Sequence, residues 1–233
     1  MINDDHVPDM PSNDTPTFNA THASTYAEGP PRQVPGFSGL HRMTSMLLAE
    51  RIPSHGRVLV LGAGGGLELK AFADDHPGWT FDGVDPSADM LRVAEQIAGS
   101  HSARIRLHEA YIDAAPAGPF DGATCLLTLH FISRDQRLET LRQIHHRLVP
   151  GAPFIVAHLS FPQIEPERST WIARHVAFGG TDPANAESAK RAIATKLSIL
   201  PPEEDEALLR EAGFSSVSLF YAGLSFRGWV GYA

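Results

Sequence analysis

The sequence predicts an α/β fold in which a mostly parallel sheet of seven strands carries helices on both faces and closes on a C-terminal antiparallel hairpin. Three observations carry this. Short apolar runs alternate with helical patterns between Val58 and Leu159, a glycine-rich turn joins the first strand to a helix, and two strand-like runs near the C-terminus are separated by a short turn. Parallel neighbours need a helix-length return connection, so the alternation implies right-handed crossovers over both faces of a parallel sheet.

The elements follow in order. Residues 1 to about 25 are polar and rich in Pro, Asn, Asp, Ser and Thr, so a flexible N-terminal arm (1–25) is expected ahead of a single domain (26–233). From Gly36 to Arg51, the residues Leu40, Met43, Leu47 and Leu48 fall at spacings that build one apolar helical face. Strands are expected at 58–61, 80–84, 104–108, 121–127 and 153–159, with helices at about 67–75, 87–98 and 135–148. Pro150 and Gly151 close the last of these helices, and Phe154-Ile-Val-Ala157 has the continuous apolar character of a strand buried on both faces. An insertion at about 161–200 holds two helices, around 166–177 and 184–198, joined through Gly179-Gly180-Thr-Asp-Pro183. Ala212-Gly213-Phe214 ends a further helix, and runs 216–220 and 224–230 flank a turn containing Gly223, which makes a hairpin.

Composition bounds the function. The chain has 233 residues, 42% of them hydrophobic and 20% charged, which places it among globular proteins with room for a substantial core. No apolar run approaches the ~20 residues of a membrane span. The start, Met1-Ile-Asn-Asp-Asp, has neither a basic nor an apolar leader region, and one cysteine cannot form an internal disulfide, so a cytoplasmic setting is expected. Cys125 sits in an apolar strand and reads as core packing. A net charge of −8 without a Lys or Arg cluster argues against a nucleic-acid partner, whose backbone demands cations, so a small-molecule substrate is expected. The 12 histidines show no metal-ligand spacing, and the adjacent His145-His146 pair reads as helix surface, so no metal is expected.

The chemistry gathers at Val58-Leu-Val-Leu-Gly62-Ala-Gly64-Gly65-Gly66-Leu67-Glu68, an apolar strand that breaks into glycines and then a helix. Glycines there let the backbone take φ > 0 and leave room for a ligand. A dinucleotide fingerprint wants glycine at the sixth position, where this chain has Leu67; Gly62, Gly64 and Gly66 instead fit G-x-G-x-G. Asp85 ends the next strand 23 positions after Gly62, near the ~20 expected of a carboxylate that accepts ribose hydroxyls. Its alternative role is to cap the helix that begins after Pro86-Ser87.

The G-x-G-x-G turn resembles the S-adenosylmethionine (SAM) loop of class I methyltransferases, and Asp85-Pro-Ser87-Ala-Asp-Met90-Leu91 is similar to the segment that follows it. A terminal hairpin on an otherwise parallel sheet is similar to the same family. The resemblance implies a Rossmann-like class I methyltransferase fold, SAM as cofactor with S-adenosylhomocysteine as product, and the amino-acid part of SAM lying against the turn. It places Gly62, Ala63, Gly64, Gly66, Asp85, Pro86 and Met90 at the cofactor, with Tyr111 and Ile112 flanking adenine; ordinary burial at the sheet mouth is the alternative for the last two.

Two further stretches resemble the carboxy-SAM synthases of the tRNA wobble-uridine pathway. Arg32-Gln-Val-Pro35-Gly36-Phe37 looks like their N-terminal segment and brings Arg32 to the cofactor list, and Leu126-Leu-Thr-Leu129-His130-Phe131 lines up after strand four and adds Leu126 and Leu127. In that family an arginine of the insertion reaches across a homodimer to hold the extra carboxylate of carboxy-SAM. Arg191 is the nearest match, and a solvated helix face beside Lys190 and Glu187 is its other reading. Tyr111 stands where the family has an acidic residue and Leu126 where it has Asn. The insertion reads equally as a lid over the site or as a dimerisation arm. His130 is the candidate catalytic base at the carboxyl end of its strand, against a histidine packed on the sheet edge. The expected function is methyl transfer from SAM to a small molecule, with carboxy-SAM synthesis or non-catalytic SAM binding as alternatives.

Overall fold

The computed structural model describes residues 29–233, so the expected arm at 1–25 lies outside the described residues. The strands are β1 (Arg57–Leu61), β2 (Thr80–Asp85), β3 (Ile105–Glu109), β4 (Gly122–Leu126), β5 (Pro153–Leu159), β6 (Ser215–Gly223) and β7 (Phe226–Tyr232). They form one sheet in the order β3-β2-β1-β4-β5-β7-β6. Neighbours from β3 to β5 pair parallel, while β7 runs antiparallel to β5 from Pro153↔Tyr232 to Leu159↔Phe226 and antiparallel to β6 at the edge. The expected topology is therefore observed.

The helices are α1 (Gly29–Gln33), α2 (Phe37–Ala49), α3 (Leu67–Asp75), α4 (Ala88–Ala98), α5 (Arg134–His145), α6 (Glu167–Phe178), α7 (Ala186–Lys196) and α8 (Pro202–Glu211). The sheet divides the core in two because successive strand side chains point to opposite faces. Val58 and Val60 join Leu40, Leu48, Phe72 and Phe81 on one face, and Leu59 and Leu61 join Phe120, Leu141, Phe154 and Trp229 on the other.

Local chemistry sets the boundaries. Ser87 caps α4, its Oγ accepting the Met90 N–H at 3.3 Å, so the capping role falls to Ser87 and not to Asp85. α8 begins at Pro202 with Glu203, Glu204 and Asp205 in its first turn, the positions where a fixed φ and negative charge suit a helix start.

Four expectations are corrected. α5 stops at His145 and not at 148. Gly213 takes φ +111°, where a Cβ would stand 2.9 Å from His145 Nε2, and the His145 ring packs edge-on to Phe214 at 5.1 Å. His145 is therefore half-buried, and only His146 is exposed. The hairpin turn is Leu224-Ser225, with Leu224 at φ +53°, and Gly223 belongs to β6. The insertion helices occupy 167–178 and 186–196, the first displaced by one residue and the second two residues shorter at each end than expected.

Candidate cofactor site

Four strands deliver the site at their carboxyl ends. After β1 the chain turns sharply, with Gly62 N–H and Ala63 N–H donating to the Val84 carbonyl at 2.8 and 3.1 Å. Gly62, Gly64 and Gly66 all have positive φ, at +73°, +47° and +80°. Two of these glycines are also demanded by close approach. A Cβ on Gly62 would stand 2.0 Å from Thr128 Oγ1, and one on Gly66 would stand 2.8 Å from the Ala94 Cα, so α3 and α4 meet with no side chain between them.

Asp85 locks this turn. Its Oδ2 accepts the Gly64 N–H at 3.0 Å and its Oδ1 accepts the Ser87 N–H at 2.9 Å. Burial pushes its pKa above the usual value, and the two backbone donors pull it back in part. Each carboxylate oxygen has a second lone pair for a ligand hydroxyl. The Ala110 N–H donates to the Asp85 carbonyl at 3.2 Å, which brings the chain after β3 beside the same turn. There Ile112 is buried at the start of a short 3-10 turn and Tyr111 is 60% exposed.

From β4, Leu126 is buried in the sheet, and Leu127 takes a left-handed φ of +56° with its N–H on the Ala157 carbonyl. That conformation is strained for a leucine and turns the chain so that Thr128, whose hydroxyl donates to the Leu126 carbonyl at 2.9 Å, covers Gly62. Pro86 is exposed and Met90 is buried in α4.

The structure thus joins Gly62, Ala63, Gly64, Gly66, Asp85 and the segments around Ile112 and Leu126–Thr128. Arg32, Arg191 and His130 are not among these contacts. Arg32 is exposed on α1, beside the Gly179-Gly180 turn of the insertion. Arg191 is exposed on α7, next to a Lys190–Glu187 ion pair of 2.8 Å.

His130 is 5% exposed, with its Nδ1 accepting the Leu159 N–H at 3.4 Å. Burial, followed by the positive charge of neighbouring His158 and Arg137, drives its pKa well below 6.5. A near-neutral imidazole facing an acceptor does not match this setting; a neutral ring packed against β5 does.

His130 belongs to a buried polar clamp. Arg137 of α5 donates to Asp205 Oδ1 of α8 at 2.7 Å, to the Leu129 carbonyl at 2.9 Å, and to the carbonyls of Ile132 and Ser198. His158 Nε2 lies 3.1 Å from the other Asp205 oxygen. The Ser198 N–H donates to the His130 carbonyl at 2.9 Å, so the exit of the insertion is tied to the turn that follows Thr128.

A family model described as a methyltransferase domain matches residues 59–154, the stretch from β1 to β5 that contains the glycine turn, Asp85 and Thr128. The carboxy-S-adenosyl-L-methionine synthase of Pseudomonas paraeruginosa is 27% identical over 225 residues, covering 91% of this chain and 89% of the relative. The stretch from β1 to β5 thus matches a methyltransferase domain. Solved structures of methyltransferases share the fold of this chain. A SAM-dependent methyltransferase from Aquifex aeolicus aligns with TM-score 0.64 at 13% identity, over 93% of this chain and 99% of that one. An O-methyltransferase-like protein from Nostoc punctiforme aligns with TM-score 0.67 at 21% identity over 92% of this chain, which spans only 59% of that longer protein.

The residues present suit SAM as a ligand. The turn offers backbone N–H groups and no phosphate-binding cation, and the acid at the end of β2 suits ribose hydroxyls. Residue-by-residue reading of the sequence passed over Thr128, Glu68 and the Arg137–Asp205 pair. The first was signalled only by its place after β4, and the pair joins residues 68 positions apart.

Proposed function

We propose that this methyltransferase domain moves the methyl group of SAM to a small-molecule acceptor by direct in-line transfer. The observation that carries the reading is the union of glycine turn and Asp85, whose Oδ2 accepts the Gly64 N–H at 3.0 Å at the carboxyl ends of β1 and β2. When bound, SAM supplies a sulfonium-activated methyl group, and the acceptor's lone pair forms the new bond as the carbon–sulfur bond breaks. The protein's contribution is then mainly alignment and exclusion of water. Asp85 orients the ribose, the turn receives the amino-acid part, and Leu127 and Thr128 wall the reacting side. With His130 buried and neutral, any proton lost by the acceptor passes to solvent or to the acceptor's own groups.

Calorimetry tests the cofactor: SAM and S-adenosylhomocysteine bind while NADH does not, and binding of NADH alone overturns the reading. Methyl transfer is then read from a panel of small acceptors with isotopically labelled SAM.

A second reading, carboxy-SAM synthesis, is favoured by the relatives of that name that align over most of the chain. It turns on Arg191, because a guanidinium grips a carboxylate with two parallel donors and an ammonium does not. We expect Arg191→Lys to bind SAM and carboxy-SAM as the wild type does, in keeping with an exposed helix position. A loss of tenfold or more confined to carboxy-SAM selects the second reading instead.

A cytoplasmic setting and a homodimer formed through the insertion also belong to the proposal. The dimer is supported by α7, which buries none of its residues fully within the protomer. Sedimentation equilibrium with and without SAM measures it.

A further inference from the structure

Glu68 is the second residue of α3, two positions past Gly66, and is only 7% exposed. Across the interior, the Thr124 hydroxyl of β4 donates to its Oε1 at 3.2 Å. The titratable group acting on it is Asp85 from the end of β2, and Glu68 in turn helps raise the Cys125 thiol of β4. Among the described residues, no Lys, Arg or His side chain forms an ion pair with Glu68 or with Asp85, whose recorded partners are a hydroxyl and backbone N–H groups. The glycine turn is therefore bracketed by two acids that have no cationic partner in the protein.

Such an arrangement is costly for the free protein, since an ionised buried carboxylate needs a countercharge. SAM brings two positive charges, the sulfonium and the α-ammonium, and its amino-acid part belongs against this turn. We propose that Glu68 is a positioning carboxylate for SAM, paired as its anion with one of the cofactor's two positive charges. The inference rests on SAM as the cofactor and adds a residue to its seat.

The proton balance is explicit. Burial raises the Glu68 pKa to about 8, with the Thr124 hydroxyl opposing the shift and Asp85 adding to it, so the side chain is a neutral acid in the free protein at pH 7. Pairing with a cation releases that proton to buffer, about 0.9 per SAM bound at pH 7.

The stability of the free protein also depends on pH. The folded pKa lies above the ordinary 4.5, so the stabilising contribution of the neutral acid is present below about pH 4.5 and is lost as pH rises toward 8. Glu68→Gln keeps a hydrogen-bond acceptor for Thr124 and removes the charge. The ligand-free variant should therefore melt several degrees higher than the wild type at pH 8.

Titration calorimetry in buffers of different ionisation enthalpy decides the matter. The expected result is release of close to one proton by the wild type, none by Glu68→Gln, and a SAM affinity at least tenfold weaker in the variant. An equal loss for S-adenosylhomocysteine assigns the ammonium as the partner, and a loss confined to SAM assigns the sulfonium. Wild-type SAM affinity in Glu68→Gln, or SAM binding by the wild type without proton release, overturns the inference while leaving the cofactor in place. Failure of the wild type to bind SAM at all removes the cofactor assignment and the inference together. Should the variant not fold, the wild-type proton count alone decides.

Discussion

Arg137→Met lowers the stability of this protein by about 3–5 kcal/mol, and its melting temperature by roughly 10 °C, because it strands a buried charge. Arg137 has no solvent exposure and Asp205 is 2% exposed. Removing the guanidinium leaves the Asp205 carboxylate with His158 and the Ser160 hydroxyl but no permanent countercharge, and it strips donors from the carbonyls of Leu129, Ile132 and Ser198. Methionine fills the volume, so the loss reports the unpaired groups more than a cavity. Urea titration of the variant measures it, and the double variant Arg137→Met/Asp205→Leu should recover much of the loss, since replacing both partners of a buried pair by apolar groups is often neutral. A single variant as stable as the wild type would show that the clamp contributes nothing.

The same pair sets an acid limit. Burial pushes the Asp205 pKa up, but His158 and Arg137 outweigh it and hold the carboxyl below the usual 3.8. A depressed folded pKa means that its stabilisation is present above about pH 4 and is lost as pH falls through the folded value. Because the turn held by Arg137 continues directly from Leu127 and Thr128, SAM affinity should fall along with the clamp.

Asp85→Ala weakens SAM at least tenfold and up to about a thousandfold, since each charge-assisted ribose bond contributes about 1.5–3 kcal/mol. The substitution also frees the Gly64 and Ser87 N–H groups that Asp85 now accepts, so the turn loses its internal brace. Asp85→Asn separates these effects: its one carbonyl oxygen can brace a single backbone donor but cannot serve two ribose hydroxyls as a carboxylate does. We expect Asn to fall between Ala and wild type in SAM affinity while melting close to wild type. A dissociation constant unchanged in Asp85→Ala would reduce this carboxylate to a brace for the turn alone.

Much of the scaffold was legible because its signals are local. An apolar run and a glycine with φ > 0 each act within a few positions, so β1 and the turn at Gly62–Gly66 can be read along the chain. The hairpin was legible for the same reason, although its exact turn was not: Leu224 accepts a left-handed φ that its residue type disfavours, because β6 and β7 hold it on both sides. His145 was misread as surface because the glycine that makes room for its ring lies 68 positions later, at Gly213.

The sequence by itself therefore determined the fold class, a parallel sheet closed by a hairpin, and pointed to the class of ligand, since these rest on periodicity and on residues adjacent in the chain. Tertiary structure alone decided which polar groups are buried and what they meet. Nothing local distinguishes the Glu68 carboxyl from an exposed helix glutamate, or His130 from a solvent-facing base. Both identities come from burial against strands distant in sequence, β4 for one and β5 for the other, and burial is what fixes the charge a titratable group carries.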